Sequence, residues 1–575
     1  MWRFDAQRSA SSPEVLPDRL HLQWTRKYAP RVPVWDDPLN RDLMPYDRLF
    51  EPVVLGERIF LSFNDTDKVI ALDLRTGKEL WAFYTDGPVR FAPVAWQDKV
   101  IFSSDDGLLY CVNAADGQLV WKFRGGPSER KVLGNQRVIS AWPARGGPVL
   151  REGRVYFAAS IWPFMGTFIY ALEAATGRVL WVNDSTGSQF IKQPHSAPSF
   201  AGVAPQGALV ATRDVLLVPG GRSVPAAFDR HTGAFLHFQI STVPKGNGGS
   251  FVAAGDTGYF VHTRLQGVRS YDLKSGKAGK FTGNEPVIDG PGFYSYVTNK
   301  SGSVLQALTG TNVTWQFKVD ASGDLIKAGQ RLYAAGTNAV RAIELPSGLR
   351  GARVSWTHPL PGGTQRLLVA NGMLLAVTLD GRLLAFGAEK TKLVTLADQA
   401  VPLKPAAPAV AQAQAMLAAA EAKEGYALCF GVEDGALLEA LVLNSKLHLI
   451  AVDPDAAKVD ALRRRLDAGK LYGERITLHV GDAVSFKAPP YFANLVVVGE
   501  SAVPHLRNPA ALRAAFDSLR PYGGTMWLPV AGEAQPEFLR LIEEAKLEQA
   551  EVRGLGQVRG SSPGHPSPAL RAPSP

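Results

Sequence analysis

Asp73-Leu-Arg-Thr76-Gly77-Lys-Glu-Leu80-Trp81 recurs as Asn113-Ala-Ala-Asp116-Gly117-Gln-Leu-Val120-Trp121 and as Glu173-Ala-Ala-Thr176-Gly177-Arg-Val-Leu180-Trp181. Fainter copies keep Thr232-Gly233 before His237 and Ser275-Gly276 before Lys280, and later ones end at Trp315 and Trp356. The unit is ~40 residues long, with insertions in the third and fourth copies. In each copy an alternating strand runs into a turn. There Asp and Thr side chains can bond local backbone and Gly can take positive φ, and the next strand then delivers a large ring to a neighbour. A sheet this small cannot bury both faces alone, so successive sheets must pack radially as a β-propeller.

The strand before the turn can be counted without the tryptophans, around Ala71, Cys111, Ala171, Ala227, Ser270, Ala307, Ala342 and Ala385. That makes eight blades. The eighth copy, Asp380-Gly381-Arg382-Leu383-Leu384-Ala385-Phe386, lacks a Trp strand after it, whereas Leu20-His-Leu22-Gln-Trp24 is a Trp strand lacking a turn before it. The two halves predict a ring closed by the N-terminal strand, which removes open sheet edges.

Composition agrees with many short strands. The 575 residues include 56 Gly, 40 Pro and 12 Trp, with 46% hydrophobic and 20% charged residues. A disordered chain is excluded. Two cysteines, Cys111 and Cys429, exclude zinc ribbons and disulfide scaffolds. Sixty-two Lys and Arg against 53 Asp and Glu give +9 without a basic block, so no nucleic-acid partner is indicated. Residues 1–17 carry Arg3, Asp5, Arg8 and Glu14 and no apolar run. They are expected to be disordered, with neither signal peptide nor lipobox, which predicts a cytoplasmic chain without a membrane span.

Over about residues 18–390 the repeat resembles the quinoprotein-like propeller family, whose unit reads roughly Ala-x-Asp-x-x-Thr-Gly-x-x-x-Trp. The resemblance implies one of two roles: pyrroloquinoline-quinone (PQQ) dehydrogenase, or non-catalytic scaffold such as the outer-membrane assembly lipoprotein. The dehydrogenases stack their cofactor on a disulfide between adjacent cysteines beside a calcium ion. This chain has no neighbouring cysteines, so PQQ is not expected. The insertions bring Arg130, Lys131, Arg145, Trp162, His195 and Arg222, a possible ligand site on the propeller for an anion or another partner; as plain structural loops they would need none.

Pro402, Pro405 and Pro408 mark a linker over residues 391–408, after which the period changes. Strand-like Tyr426-Ala-Leu-Cys-Phe430 precedes a turn with Gly431, Glu433 and Gly435, and Leu447-His-Leu-Ile-Ala-Val452 ends at Asp453. Ile476-Thr-Leu-His-Val480 leads to Gly481-Asp482-Ala483, and Asn494-Leu-Val-Val-Val498 follows. Strands alternating with helices predict an α/β doubly wound, Rossmann-like domain over 409–558, making the protein multidomain. A glycine turn near a helix N-terminus and an acid after the second strand suit a nucleoside ligand.

Together with Leu519-Arg-Pro521-Tyr-Gly523-Gly524, these segments resemble class I S-adenosylmethionine-dependent methyltransferases over about 409–555. The resemblance implies that Gly431, Glu433 and Gly435 face the methionine moiety, Asp453 the ribose, and Asp482 and Ala483 the adenine. Glu433 departs from the family glycine, and no acceptor signature is present. Residues 559–575 are expected to be a disordered low-complexity tail, either natural or standing where a truncated or shifted frame has replaced a seventh strand. Three readings stay open: a methyltransferase-like protein with a substrate- or partner-binding propeller; an interaction scaffold with a degenerate nucleotide-binding domain; and a quinone-dependent oxidoreductase.

Overall fold

A computed structural model describes residues 1–34, 47–192, 197–221, 223–239, 248–263, 267–281, 283–284, 286–299, 302–530, 534–547, 550–554 and 568–571. The chain divides into two compact units, Met1–Pro127 with Trp142–Asp398, and Ser128–Ala141 with Gln399–Pro575.

The first unit is an eight-bladed propeller. Blade one is the antiparallel sheet Val53–Leu55, Arg58–Phe63, Lys68–Asp73 and Glu79–Tyr84, and blade two repeats it from Val94–Trp96 to Leu119–Arg124. Blades three, four, six and seven follow the same antiparallel plan, and blade five keeps three strands, Val252–Ala254, Gly258–Thr263 and Gly267–Asp272. Its fourth strand, expected to end at Lys280, survives only as a bridge between Tyr271 and Ala278. In blade eight His21–Lys27 pairs with Arg382–Gly387, setting Trp24 opposite Ala385, so the ring closes as the sequence predicts.

The repeat is explained by one contact made around the ring. Trp81 lies opposite Ala71, and its indole N–H donates to Ala114 O of the next blade at 3.2 Å. Trp24 reaches Leu74 O, Trp121 reaches Ala174 O and Trp181 reaches Arg230 O at 3.0, 3.2 and 3.1 Å. His237 takes the same place toward Leu273 O. The turn glycine is required twice over. Gly117 has φ +75°, and a Cβ there would sit 2.7 Å from the Trp81 ring. Asp73 Oδ1 accepts from Thr76 N and Oγ1, both at 2.7 Å, which fixes the turn before the glycine.

Three expected segments differ. Residues 1–17, predicted to be disordered, are built into the ring: Trp2, Arg3, Ala6, Arg8, Ser9 and Ala10 are buried, and Ser11–Ser12 pairs in parallel with the inner strand of blade seven. Main-chain carbonyls of this segment accept from amides of the inner strands, a signal that composition does not carry. The predicted linker begins inside the ring, since Val394–Ala397 adds a fifth strand to blade eight. The predicted disordered tail supplies the strand Pro568–Arg571.

In the second unit, strands Ile476–Val480, Lys446–Asp453, Glu424–Phe430, Leu495–Val498 and Thr525–Trp527 lie side by side in that order and parallel. Pro568–Arg571 pairs antiparallel between Thr525–Trp527 and Glu551–Gly554. The central strands read as unbroken apolar runs because both faces are covered. Helix Ala407–Ala420 carries the last linker proline, Pro408, in its first turn. Helix Ala456–Ala468 is capped by Asp455, whose side chain accepts from Ala457 N and Lys458 N. The hairpin Lys131–Gly134 and Arg137–Ser140 belongs to this unit, with Val138 in its core.

Candidate functional site

The leading ends of the inner strands enclose a cavity of about 310 Å3 at the ring axis. Its walls are single-copy residues just before or within those strands: Arg48 and Glu51, Phe91, Ser250 and Phe251, Asp324, and Arg366. Trp2, from the N-terminal segment, lines it as well. Arg366 forks onto Glu51 at 2.6 and 2.8 Å and approaches Asp324 at 3.4 Å. Asp324 also holds Arg3 at 3.2 Å and accepts from Leu325 N and Leu367 N. Burial at these separations makes each pair costly to break singly.

Trp2 donates its indole N–H to Glu51 at 2.5 Å and packs edge-on against Phe251, with centroids 5.3 Å apart. The guanidinium groups of Arg8 and Arg366 lie 5.3 and 5.5 Å from its ring centre. Two groups at this cavity bear on ligand binding. Arg48 is half-buried with no ion-pair partner among the described residues. The Ser250 hydroxyl is buried and has no hydrogen-bond partner among the described residues. A buried hydroxyl without a partner carries a desolvation cost that a ligand in the cavity can relieve.

The insertion residues singled out from the sequence do not converge. Arg145 is fully buried, and its Nε and Nη2 grip Asp105 at 3.0 and 2.9 Å. Arg90 joins Asp105 at 2.7 Å and Asp47 at 2.8 Å. Burial alone would raise the Asp105 carboxyl, but Arg145 and Arg90 outweigh it and hold the group below its ordinary range. Arg130 is exposed on the hairpin, and Lys131 Nζ lies 4.8 Å over the Phe486 ring of the second unit. Trp162 is half-buried before the single-turn helix Pro163–Met165. His195 and Arg222 lie outside the described residues. The axial set was missed because a reading built on repetition discards residues that occur once. Glu51, Asp324 and Arg366, charged and set at the start of apolar strands, were the available signal.

At the strand ends of the second unit the expected nucleoside residues do meet, but they satisfy one another. Asp453 is buried, and its carboxylate accepts from Val432 N at 3.1 Å, Asp455 N at 3.0 Å and Lys458 Nζ at 3.0 Å. Burial pushes its acidity one way, and these donors, prevailing, keep it ionised below the usual range. Glu433, at φ +46°, turns Oε1 onto Ser501 N and Oγ at 2.9 and 2.7 Å. Gly431 abuts Ser501, where a Cβ would meet Oγ at 2.8 Å. Asp482 Oδ1 accepts from Val484 N, Ser485 N and Ser485 Oγ, the Ser485 amide being the leading cause that lowers its carboxyl. Gly435 precedes helix Ala436–Leu443, and Ala483 is buried. What remains beside Gly431, Asp482 and Ala483 is a cavity of about 10 Å3, scarcely a water's room.

Comparison with known proteins places residues 23–280 in a match to the family described as outer membrane protein assembly factor BamB. The dehydrogenase subunit of the quinone alcohol dehydrogenase of Gluconobacter oxydans is 30% identical over 142 residues, covering 23% of this chain and 18% of that protein. Tetrathionate hydrolase of Acidithiobacillus ferrooxidans is 27% identical over 242 residues, covering 39% and 42%. The chain thus spans less than half the length of either relative. Among solved structures, the quinohemoprotein alcohol dehydrogenase ADHIIG of Pseudomonas putida HK5 is similar at TM-score 0.44 and 13% identity, over 72% of this chain and 84% of that one.

These relatives correct two expectations. The methyltransferase reading is overturned: the relatives include the dehydrogenase subunit of a quinone alcohol dehydrogenase, and the strand-end cleft meant for S-adenosylmethionine is filled by Glu433, Ser501 and the saturated Asp453. The expectation that PQQ is unlikely is corrected too, since a relative is the dehydrogenase subunit of a quinone alcohol dehydrogenase. It rested on missing adjacent cysteines, which removes one stacking surface but leaves the axial cavity intact.

Proposed function

We propose that the ring is a binding module for a planar, polyanionic cofactor of the quinone class, with pyrroloquinoline quinone as the first candidate. The observation that carries this is the axial cavity: about 310 Å3, at the small end of ligand sites, walled by Trp2, Phe91 and Phe251. Arg48 would meet a carboxylate, Ser250 would donate to a ring oxygen, and Arg366, fixed by Glu51, would orient the ligand's edge. Aromatic walls suit a flat conjugated ligand. Such a cofactor, when bound, supplies a two-electron acceptor. The proposal concerns binding of the cofactor at this cavity.

We also infer that the second unit is a doubly wound, Rossmann-like sheet. Its support is the strand order, in which the first strand lies between the second and the fourth. No helix among the described residues is long and apolar enough to cross a membrane.

Calorimetric titration of the full chain with PQQ tests the first proposal. Saturable one-to-one binding is expected, weakened about tenfold in Arg48→Ala, the value of one charged hydrogen bond. No heat of binding, or an affinity indifferent to Arg48, overturns it.

A further inference from the structure

We infer that the first twelve residues of the chain floor the axial cavity, which Trp2 among them lines directly. Their carbonyls step around the ring. Ala6 O accepts from Ala211 N in blade four at 2.9 Å, Gln7 O from Ala254 N in blade five at 2.9 Å, and Ser9 O from Ile288 N in blade six at 2.8 Å. In blade seven Ala10 O and Ser12 O accept from Lys327 N and Gly329 N at 2.9 and 3.0 Å. The cavity walls stand at the leading ends of these inner strands, and the strap bonds residues further along the same strands. Arg8 is buried across the strap, donating to Pro148 O, Leu209 O and Trp2 O. From this layer Trp2 projects into the cavity wall.

The strap holds a conformation it would not adopt alone. Arg3, Phe4, Arg8 and Ala10 all have left-handed φ, at 48°, 78°, 61° and 57°. Each is a conformation that side chains with a Cβ resist, and such strain persists only where surrounding contacts impose it. The segment is therefore stretched between strain that favours release and a row of main-chain bonds, two buried arginines and one indole that favour seating.

We propose that residues 1–12 are a ligand-coupled strap, with Trp2 as a positioning residue, so that the axial site exists only while the strap is seated and a bound ligand holds it there. The coupling to a ligand rests on the reading of the cavity as a cofactor site. The strap's role as floor does not. A ligand touching Trp2 binds the seated state alone, so its binding free energy must add to the seating equilibrium.

Two measurements on the full chain separate these. In Ser250→Cys the new thiol lines the cavity, and the native Cys111 and Cys429 are buried, so an anionic methanethiosulfonate reports access to the site. Adding Trp2→Ala should speed labelling about tenfold by freeing the strap, while Trp2→Phe, which keeps an aromatic wall, should stay near the parent rate. Equal rates in all three overturn the floor assignment, whatever PQQ does. Should Trp2→Ala fail to fold, hydrogen exchange on the unaltered chain decides. The amides of Ala211, Ala254, Ile288 and Lys327 should exchange more slowly once PQQ is bound. Calorimetric binding with unchanged exchange at those amides overturns the coupling and leaves the cofactor reading standing, whereas absence of binding removes the cofactor reading and leaves the labelling result to judge the floor.

Discussion

At the ring axis the inner strands leave about 310 Å3, while at the strand ends of the C-terminal sheet the residues arranged as for a nucleoside leave about 10 Å3. Both places are where their architectures receive ligands. They differ in what the local polar groups do. In the sheet, Asp453, Asp482 and Glu433 are each bound by the chain's own donors. At the axis Glu51 and Asp324 are equally engaged, but Arg48 and Ser250 are left facing the space. A site is recognised less by which side chains assemble than by which remain unsatisfied once they have.

The comparison breaks first if the ring is not an independent unit. Trp24 is 1% exposed, bonds Leu74 O at 3.0 Å and lies on Gly77 of the next blade. Trp24→Ala should cost the ring ~3–5 kcal/mol. The check is hydrogen exchange under mild denaturant: the blades should lose protection while Leu495–Val498 keeps it. Equal loss in both would show a single cooperative body.

The ring's glycines sharpen the same point. Gly117→Ala combines left-handed strain with a clash against Trp81, roughly 2–4 kcal/mol together. Gly56, at φ +56°, has nothing within 4 Å of where an added methyl group would stand, so Gly56→Ala should cost only the strain, about 1–2 kcal/mol. Denaturation midpoints that do not separate the two variants would remove the inter-blade contact as the reason for the repeat.

Those contacts are also why the ring was legible. Trp, Gly and Asp recur because each blade solves one packing problem, and even the closing strand at Trp24 carries the signature. The sheet's strands were legible from apolar runs ending in Asp453 and Gly481. What could not be read was direction at single positions. Glu433 stood where the family has glycine in a turn expected to face a ligand, yet its left-handed φ swings it onto Ser501, 68 positions away. Arg145 looked like a ligand group, but Asp105 neutralises it from another blade. The strap was invisible because its bonds use backbone carbonyls, which every sequence supplies.

A smaller effect distinguishes the ring by pH. Asp106 is pushed up to about 6 by burial and the neighbouring Asp86, against hydrogen bonds from Tyr110, Leu108 and Asp86 N. A carboxyl raised on folding favours the folded state at low pH, and that contribution fades as pH climbs from about 4 through 6. With Asp106 half-buried, its share is on the order of 1–2 kcal/mol. Asp106→Asn should therefore gain stability relative to the parent across that window and then hold level. A parent-minus-variant difference that stays constant from acid to neutral pH would refute the assignment.

The smallest effect falls on the closed cleft, at Glu433→Gly. Removing the side chain gives up two hydrogen bonds to Ser501 at an exposed position, together about 1 kcal/mol or less. Glycine also relieves the left-handed strain at φ +46°, worth about 1 kcal/mol in the opposite direction. The two nearly cancel, so the denaturation midpoint should move by less than about 0.5 kcal/mol equivalent. The cleft should not become a site either, because the donors on Asp453 come from Val432, Asp455 and Lys458 and stay in place when Glu433 is gone. Titration with adenosine is the check. Binding that appears in Glu433→Gly and is absent from the parent would mean that one side chain alone closes the cleft, and the contrast with the ring axis would shrink to a single residue.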